Sequence, residues 1–186
     1  MKKWSMVLPL LLCMVLLVSC SSTSPTIVPD NGFYKFPETR EELVKQTPYI
    51  VTAKIMKTEI HKMKESNAED SKESNFYVIT AKVEEVLRGD FTSGQEIQII
   101  QEGDNKDTIY EYIIKNGGYL KENTRWLLFL NKDVVLENSY VVSINGQYQL
   151  NDKDEITFRT DMSKQYFNEF QTVGEMKKIL DTLVLE

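Results

Sequence analysis

The chain has 186 residues, 41% hydrophobic and 27% charged, with 28 acidic and 22 basic side chains, a net charge of −6, two cysteines and one histidine. That length suits one domain of ordinary size, which can bury about two thirds of its unfolded surface and so needs no metal or disulfide to be stable. The acidic balance, with basic residues scattered rather than gathered into a stripe with interleaved aromatics, speaks against nucleic acid as a partner.

Residues 1–19 divide into a basic start (Met1, Lys2, Lys3), an apolar run from Trp4 to Val18 interrupted by Pro9, and the small residue Ser19 ahead of Cys20. A permanent span takes about 20 apolar residues, so the pattern predicts a secretory signal peptide and not a transmembrane helix. Leu17-Val18-Ser19-Cys20 resembles the lipobox of bacterial lipoproteins, with an aliphatic residue three before the cysteine and a small one just before it. The resemblance implies cleavage before Cys20, a diacylglyceryl group on its thiol and a fatty acid such as palmitate on the new amino terminus. Each buried methylene contributes about 0.8 kcal/mol, so two or more acyl chains hold a protein stably on a cell membrane. The expected location is the outer, extracytoplasmic face.

Loss of Lys2 and Lys3 with the signal would take the net charge from −6 to −8 and leave 167 residues. Cys13 would leave as well, and Cys20 would carry lipid, so no cysteine pair remains for a disulfide. Residues 20–35, with Ser21 to Pro25 and then Pro29-Asp30-Asn31-Gly32, read as a flexible linker. Phe33, Tyr34 and Phe36 form an aromatic cluster at its junction with a domain over 36–186, suited to pinning the segment to the core, with a binding surface or contact with lipid headgroups as alternatives.

Thr39-Arg40-Glu41-Glu42 is a capping box that opens a short helix over Arg40 to Gln46, ended by Pro48. Period-two alternation then marks a half-buried strand from Tyr49 to Ile55 and a second through Tyr77, Ile79, Ala81 and Val83, read as its partner. The charged run from His61 to Glu73 between them reads as a solvated loop. Further strands are expected at Glu96–Gln101, Ile109–Ile114, Arg125–Leu130, Ser139–Ile144, Gln147–Leu150 and Glu155–Phe158, a number that suits a barrel or sandwich. Trp126 to Leu130 is apolar at every position, as in a central strand covered on both faces. Asn145-Gly146 predicts a type I′ hairpin turn. Thr172-Val173-Gly174-Glu175 is a second capping box, and Val173, Met176, Ile179, Leu180 and Leu183 follow at helical spacing, predicting an amphipathic helix from Val173 to Leu185.

Four segments carry a wider likeness: Tyr49 to Ile55, Val83 to Gly89, Gly94 to Ile99, and Leu120 to Leu130. Their order resembles a group of uncharacterised Gram-positive secreted proteins whose barrel is similar to the OB-like domain of tissue inhibitors of metalloproteinases and netrins. The resemblance implies a mainly β fold, a small OB-like barrel with a short N-terminal helix and a C-terminal amphipathic helix. It does not carry metalloproteinase inhibition across. Those inhibitors meet the protease zinc with the free amine of an N-terminal cysteine, whereas the Cys20 amine would lie at the membrane, and the family disulfides are missing.

The residues offer little catalytic chemistry. His61 is the single imidazole, without partners for a zinc site, and no Gly-x-Ser-x-Gly elbow is present. Glu84-Glu85 could serve glycoside hydrolysis only if both faced one substrate, and neighbours on a strand point to opposite faces. Asp104 to Asp107 and Asn151 to Glu155 carry oxygens that calcium could use, but lack the EF-hand spacing and fit Asx-rich turns. Tyr110, Tyr112 and Tyr119 are open between surface and core. The expectation is therefore a membrane-anchored, non-catalytic binding module for an envelope or extracellular ligand. It has no catalytic, cofactor or metal residue, and lipid on Cys20 is its one modification. A carboxylate-dependent envelope enzyme and an immunity-type lipoprotein are the alternatives.

Overall fold

The computed structural model describes residues 36–64, 73–102, 118–133 and 138–183. Helix α1 (Arg40–Gln46) starts where its capping box predicts, with the Thr39 hydroxyl accepting from the Glu42 N–H at 3.1 Å. The Glu42 carboxylate reaches back to the Glu38 N–H at 2.6 Å, one residue beyond the cap. Thr47 ends the helix by donating both its N–H and its hydroxyl to the Leu43 carbonyl, and Pro48 follows.

Strands β1 (Tyr49–Lys64) and β2 (Glu73–Arg88) pair antiparallel, from Ile50 opposite Arg88 to Lys64 opposite Glu73. The expected solvated loop is thus strand at both of its ends, where His61–Lys64 continue β1 and Glu73 opens β2; residues 65–72 lie outside the described residues. Ladder hydrogen bonds need only backbone, so pairing runs on after hydrophobic alternation has stopped. Past Lys54, β1 has no register with β4, and past Phe76 toward its start β2 has none with β3. The two strands therefore extend together as an arm.

Strand β3 (Glu96–Glu102) lies antiparallel to β2, and β4 (Arg125–Lys132) antiparallel to β1. Strand β5 (Ser139–Leu150) is antiparallel to β4 and parallel to β3, with Gln98, Ile99 and Ile100 opposite Ser139, Tyr140 and Val141. That parallel contact closes a five-stranded barrel in the order β1-β2-β3-β5-β4, an OB-like arrangement. Strand β6 (Ile156–Arg159) pairs with the second half of β5. The strand expected at Ile109–Ile114 lies outside the described residues.

The Asn145-Gly146 hairpin is not formed. Both residues sit inside β5, and neither has a positive φ. Opposite them β4 advances two residues, from Leu128 to Leu130, while β5 retreats five, from Gln147 to Val142, so β5 bulges as it passes from β3 to β6. Gly146 is needed there for space, because a Cβ would fall 2.3 Å from the Cβ of Phe129. A four-residue helix α2 (Asp161–Lys164), which sequence periodicity does not reveal, packs against the same bulge. Its Ser163 hydroxyl accepts from the Gln147 N–H and donates to the Gln147 carbonyl, both at 3.2 Å, standing in for a neighbouring strand.

β4 divides the interior into two cores, as its unbroken apolar run predicts. Trp126, Leu128 and Leu130 face the barrel with Val51, Ala53, Ile55, Ile79, Ala81, Val83 and Ile99. Leu127 and Phe129 face outward, against Leu43 and Val44 of α1, Phe167, Phe170, and Val173 and Met176 of α3 (Val173–Thr182). Thr172 caps α3, accepting from the Glu175 N–H at 3.2 Å. The helix stops at Thr182, short of the expected Leu185, because Leu183 turns extended and folds back onto the outer core. Among the described residues no helix is long and apolar enough to cross a membrane.

Candidate functional site

Leu17 to Cys20, which resemble a lipobox, and the aromatic residues Phe33 and Tyr34 lie outside the described residues, as do Asp104 to Asp107, Tyr110 and Tyr112. Phe36 is half-buried, and the chain beside it is fixed by the Tyr166 hydroxyl, which donates to the Pro37 carbonyl at 2.5 Å. Burial raises the Tyr166 pKa, with the Glu42 charge adding to the effect. The chain thus enters the domain on the outer core, beside α1. Tyr119 stacks on Tyr77 with ring centroids 4.6 Å apart, a packing role on the barrel side.

The paired glutamates part as strand geometry requires. Glu84 Oε2 accepts from Arg125 Nε at 2.8 Å, while Glu85 Oε1 lies 2.5 Å from Lys177 Nζ on α3. Arg125 also donates to the Asn151 carbonyl at 2.6 Å and to Asp154 Oδ1 at 2.7 Å, joining β2, β4 and the β5–β6 turn. Burial would lower the Arg125 pKa, but the hydrogen bonds to Asp154 and Glu84 outweigh it and the value is raised. On α1, Arg40 pairs with Glu169 at 2.5 Å. Burial would raise the Glu169 carboxyl, yet its backbone hydrogen bonds and Arg40 hold it below the usual range.

The Asn151–Glu155 turn closes on itself. Asn151 Oδ1 accepts from the N–H groups of Lys153 and Glu155, at 2.9 and 3.0 Å, and its amide donates to Glu155 Oε2 at 2.7 Å. Asp154 takes a left-handed φ of 61° with its carboxylate on Arg125. These oxygens already face donors, as an Asx turn uses them. Among the described residues no group of His, Cys, Asp and Glu is placed to hold a metal. His61 is exposed on the arm, opposite Phe76.

Three features escape sequence reasoning because each unites distant residues. At one end of the barrel Tyr49, Phe91 and Tyr140 pack as a ring triad, with centroids 4.9 to 5.3 Å apart, and Lys132 Nζ lies 6.0 Å from the Tyr49 ring centroid. The hydrogen bond and charge of Tyr49 raise the Lys132 pKa. Gly89, at φ 104°, admits the Tyr49 ring where a Cβ would lie 2.6 Å from it. Further inside, Gln147 is fully buried on the face it shares with Leu128, and both its amide atoms and Asn145 Oδ1 lack a hydrogen-bond partner. The third is on the outer face, where Lys54 of β1 and Lys82 of β2 stand directly opposite each other, both exposed. Neither is ion-paired to a described residue.

No protein-family model matches the chain, and no curated protein or solved structure matches it.

Proposed function

We propose that this chain is a lipoprotein held on the extracytoplasmic face of the cell membrane by lipid on Cys20, and that its barrel binds an envelope or extracellular ligand without catalysing a reaction. The lipobox Leu17-Val18-Ser19-Cys20, placed just beyond an apolar run too short to span, carries the address. The binding reading draws on how four of the described carboxylates are engaged. Glu84 and Asp154 hold Arg125, Glu85 holds Lys177, and Glu169 holds Arg40. A general acid or base needs a pKa near neutrality and a free approach to its substrate. At Glu169 burial would raise the pKa, but its backbone hydrogen bonds and Arg40 hold it below the usual carboxylate range, which is the opposite tuning.

Metabolic labelling with a fatty acid tests the anchor. The wild-type protein should incorporate label and sediment with membranes, and Cys20→Ala should lose label and either stay unprocessed or escape the membrane fraction. Label retained by the double variant Cys13→Ala, Cys20→Ala would overturn the anchor, since an unprocessed chain keeps Cys13.

A further inference from the structure

We propose that Lys54 and Lys82 together bind a phosphate group on the outer face of the barrel; this rests on the binding reading above and names the chemistry of what is bound. The residues are 28 apart in sequence, and the β1–β2 register sets them opposite each other, where like charges repel. The row continues to Arg125, the β4 partner of Lys54, but that guanidinium is already held by Glu84 and Asp154. On its other side Lys82 stands opposite Glu96 of β3, and no ion pair joins them. Two ammonium groups are therefore left side by side in a chain that is acidic overall.

Both lysines line an open groove of about 570 Å³ with Met56, Glu84, Ser93 and Gly94. Two of its other donors are occupied, the Ser93 hydroxyl donating to the Glu84 carbonyl at 2.7 Å and the Gly94 N–H to the Val83 carbonyl at 2.8 Å. A ligand entering the groove meets the two ammonium groups as charged donors, and the Glu84 carboxylate beside them is held by Arg125, which it shares with Asp154. Lysine binds phosphate as a point charge, and two ammonium groups side by side match the double charge and several acceptor oxygens of a phosphate better than the single charge of a carboxylate. Met56, 45% exposed in the same groove, offers apolar contact to the carbon skeleton of a phosphate ester. Acidic charge more than about 8 Å away is screened at physiological salt, so a ligand in the groove responds to the two lysines together with the nearby Glu84 and Glu96.

Residue-resolved acylation tests this on the full-length protein purified from membranes in non-ionic detergent. An amine-reactive reagent is applied with and without pyrophosphate, and modification of each lysine is read by mass spectrometry. Pyrophosphate should slow modification of Lys54 and Lys82 and leave the exposed Lys121 and Lys153 unchanged. Lys54→Gln should weaken its protection of Lys82 about tenfold, the loss expected for one charge-assisted hydrogen bond. A parallel arm reconstitutes the protein in phosphatidylcholine vesicles with or without phosphatidylglycerol. Protection seen only with phosphatidylglycerol supports the pair and identifies a lipid headgroup as the source of the phosphate. Equal slowing of all lysines, or no protection by either probe, overturns the proposal. Either of those results leaves the reading it rests on standing, because that reading is decided by fatty-acid labelling and by turnover.

Discussion

The barrel interior and the outer core share strand β4 but are built by different means. Inside, Val51, Ala53, Ile55, Ile79, Ala81 and Val83 come from a single hairpin whose alternation fixes which face is buried. Outside, Leu127 and Phe129 meet side chains from α1, the segment after α2 and α3, which are far apart in sequence and are joined by caps, Ser163 and the Arg40–Glu169 pair. A closed ladder resists local opening because each strand is held on two sides, whereas a layer of short helices is held mainly by packing. The barrel is thus expected to open last among the described residues, and the outer helical layer, where Pro37 is held by Tyr166, to loosen first.

Substitutions in the two cores should separate these behaviours. Trp126→Ala empties the barrel of a large, fully buried side chain and should cost about 3–5 kcal/mol in denaturant unfolding. All slow-exchanging amides should lose protection together. Met176→Ala, in the outer core, should cost about 2–5 kcal/mol by the same mechanism, but hydrogen exchange should show α3 opening while the β1 and β2 amides stay protected. Uniform loss of protection in Met176→Ala would mean that the layers open as one unit.

Gly146→Ala probes the bulge that joins the two cores. Its Cβ would collide with Phe129, so overpacking should cost about 1–3 kcal/mol, measured by chemical denaturation. Shortening the neighbour in Phe129→Leu should recover part of that cost in the double variant, a coupling expected only if the residues touch.

The smallest expected effect is a pH dependence to which the outer core contributes through Tyr148. Burial drives the Tyr148 phenol far above its ordinary value, the Arg159 charge offsetting only part of the rise. With the folded pKa above the unfolded one, the stability tied to the protonated phenol is complete below pH ~10 and falls as pH rises past it. Tyr148→Phe cannot ionise and should show a shallower alkaline decline in melting temperature, from a baseline lowered by loss of the 3.2 Å hydrogen bond to the Ser163 carbonyl. An unchanged alkaline slope would place the effect on other tyrosines.

What the sequence makes legible follows the same division. Local chemistry was readable: the caps at Thr39 and Thr172, the alternation of β1 and β2, and the two-sided burial of Trp126 to Leu130 each depend on residues close along the chain. The errors arise where tertiary demands override a local signal. Asn145-Gly146 has the composition of a turn, but Phe129 requires the absent Cβ and the barrel requires β5 to continue. The polar arm beyond Ile55 shows no hydrophobic period because its ladder needs none. Of the candidate sites, the separation of Glu84 from Glu85 follows from strand geometry alone. The Lys54–Lys82 pair and the unpartnered Gln147 amide depend on register and bulge, which no spacing in the sequence encodes.

The central claim is that this barrel presents a binding surface and does no chemistry. A turnover assay of the purified protein against cell-wall glycans, peptides and phosphoesters, with Glu84→Gln, Glu85→Gln and Glu169→Gln prepared alongside, tests it most directly. The account predicts no turnover above that of the buffer for the wild type or any variant. Turnover that survives repurification and disappears on changing one of those carboxylates would contradict it and establish a carboxylate-dependent envelope enzyme.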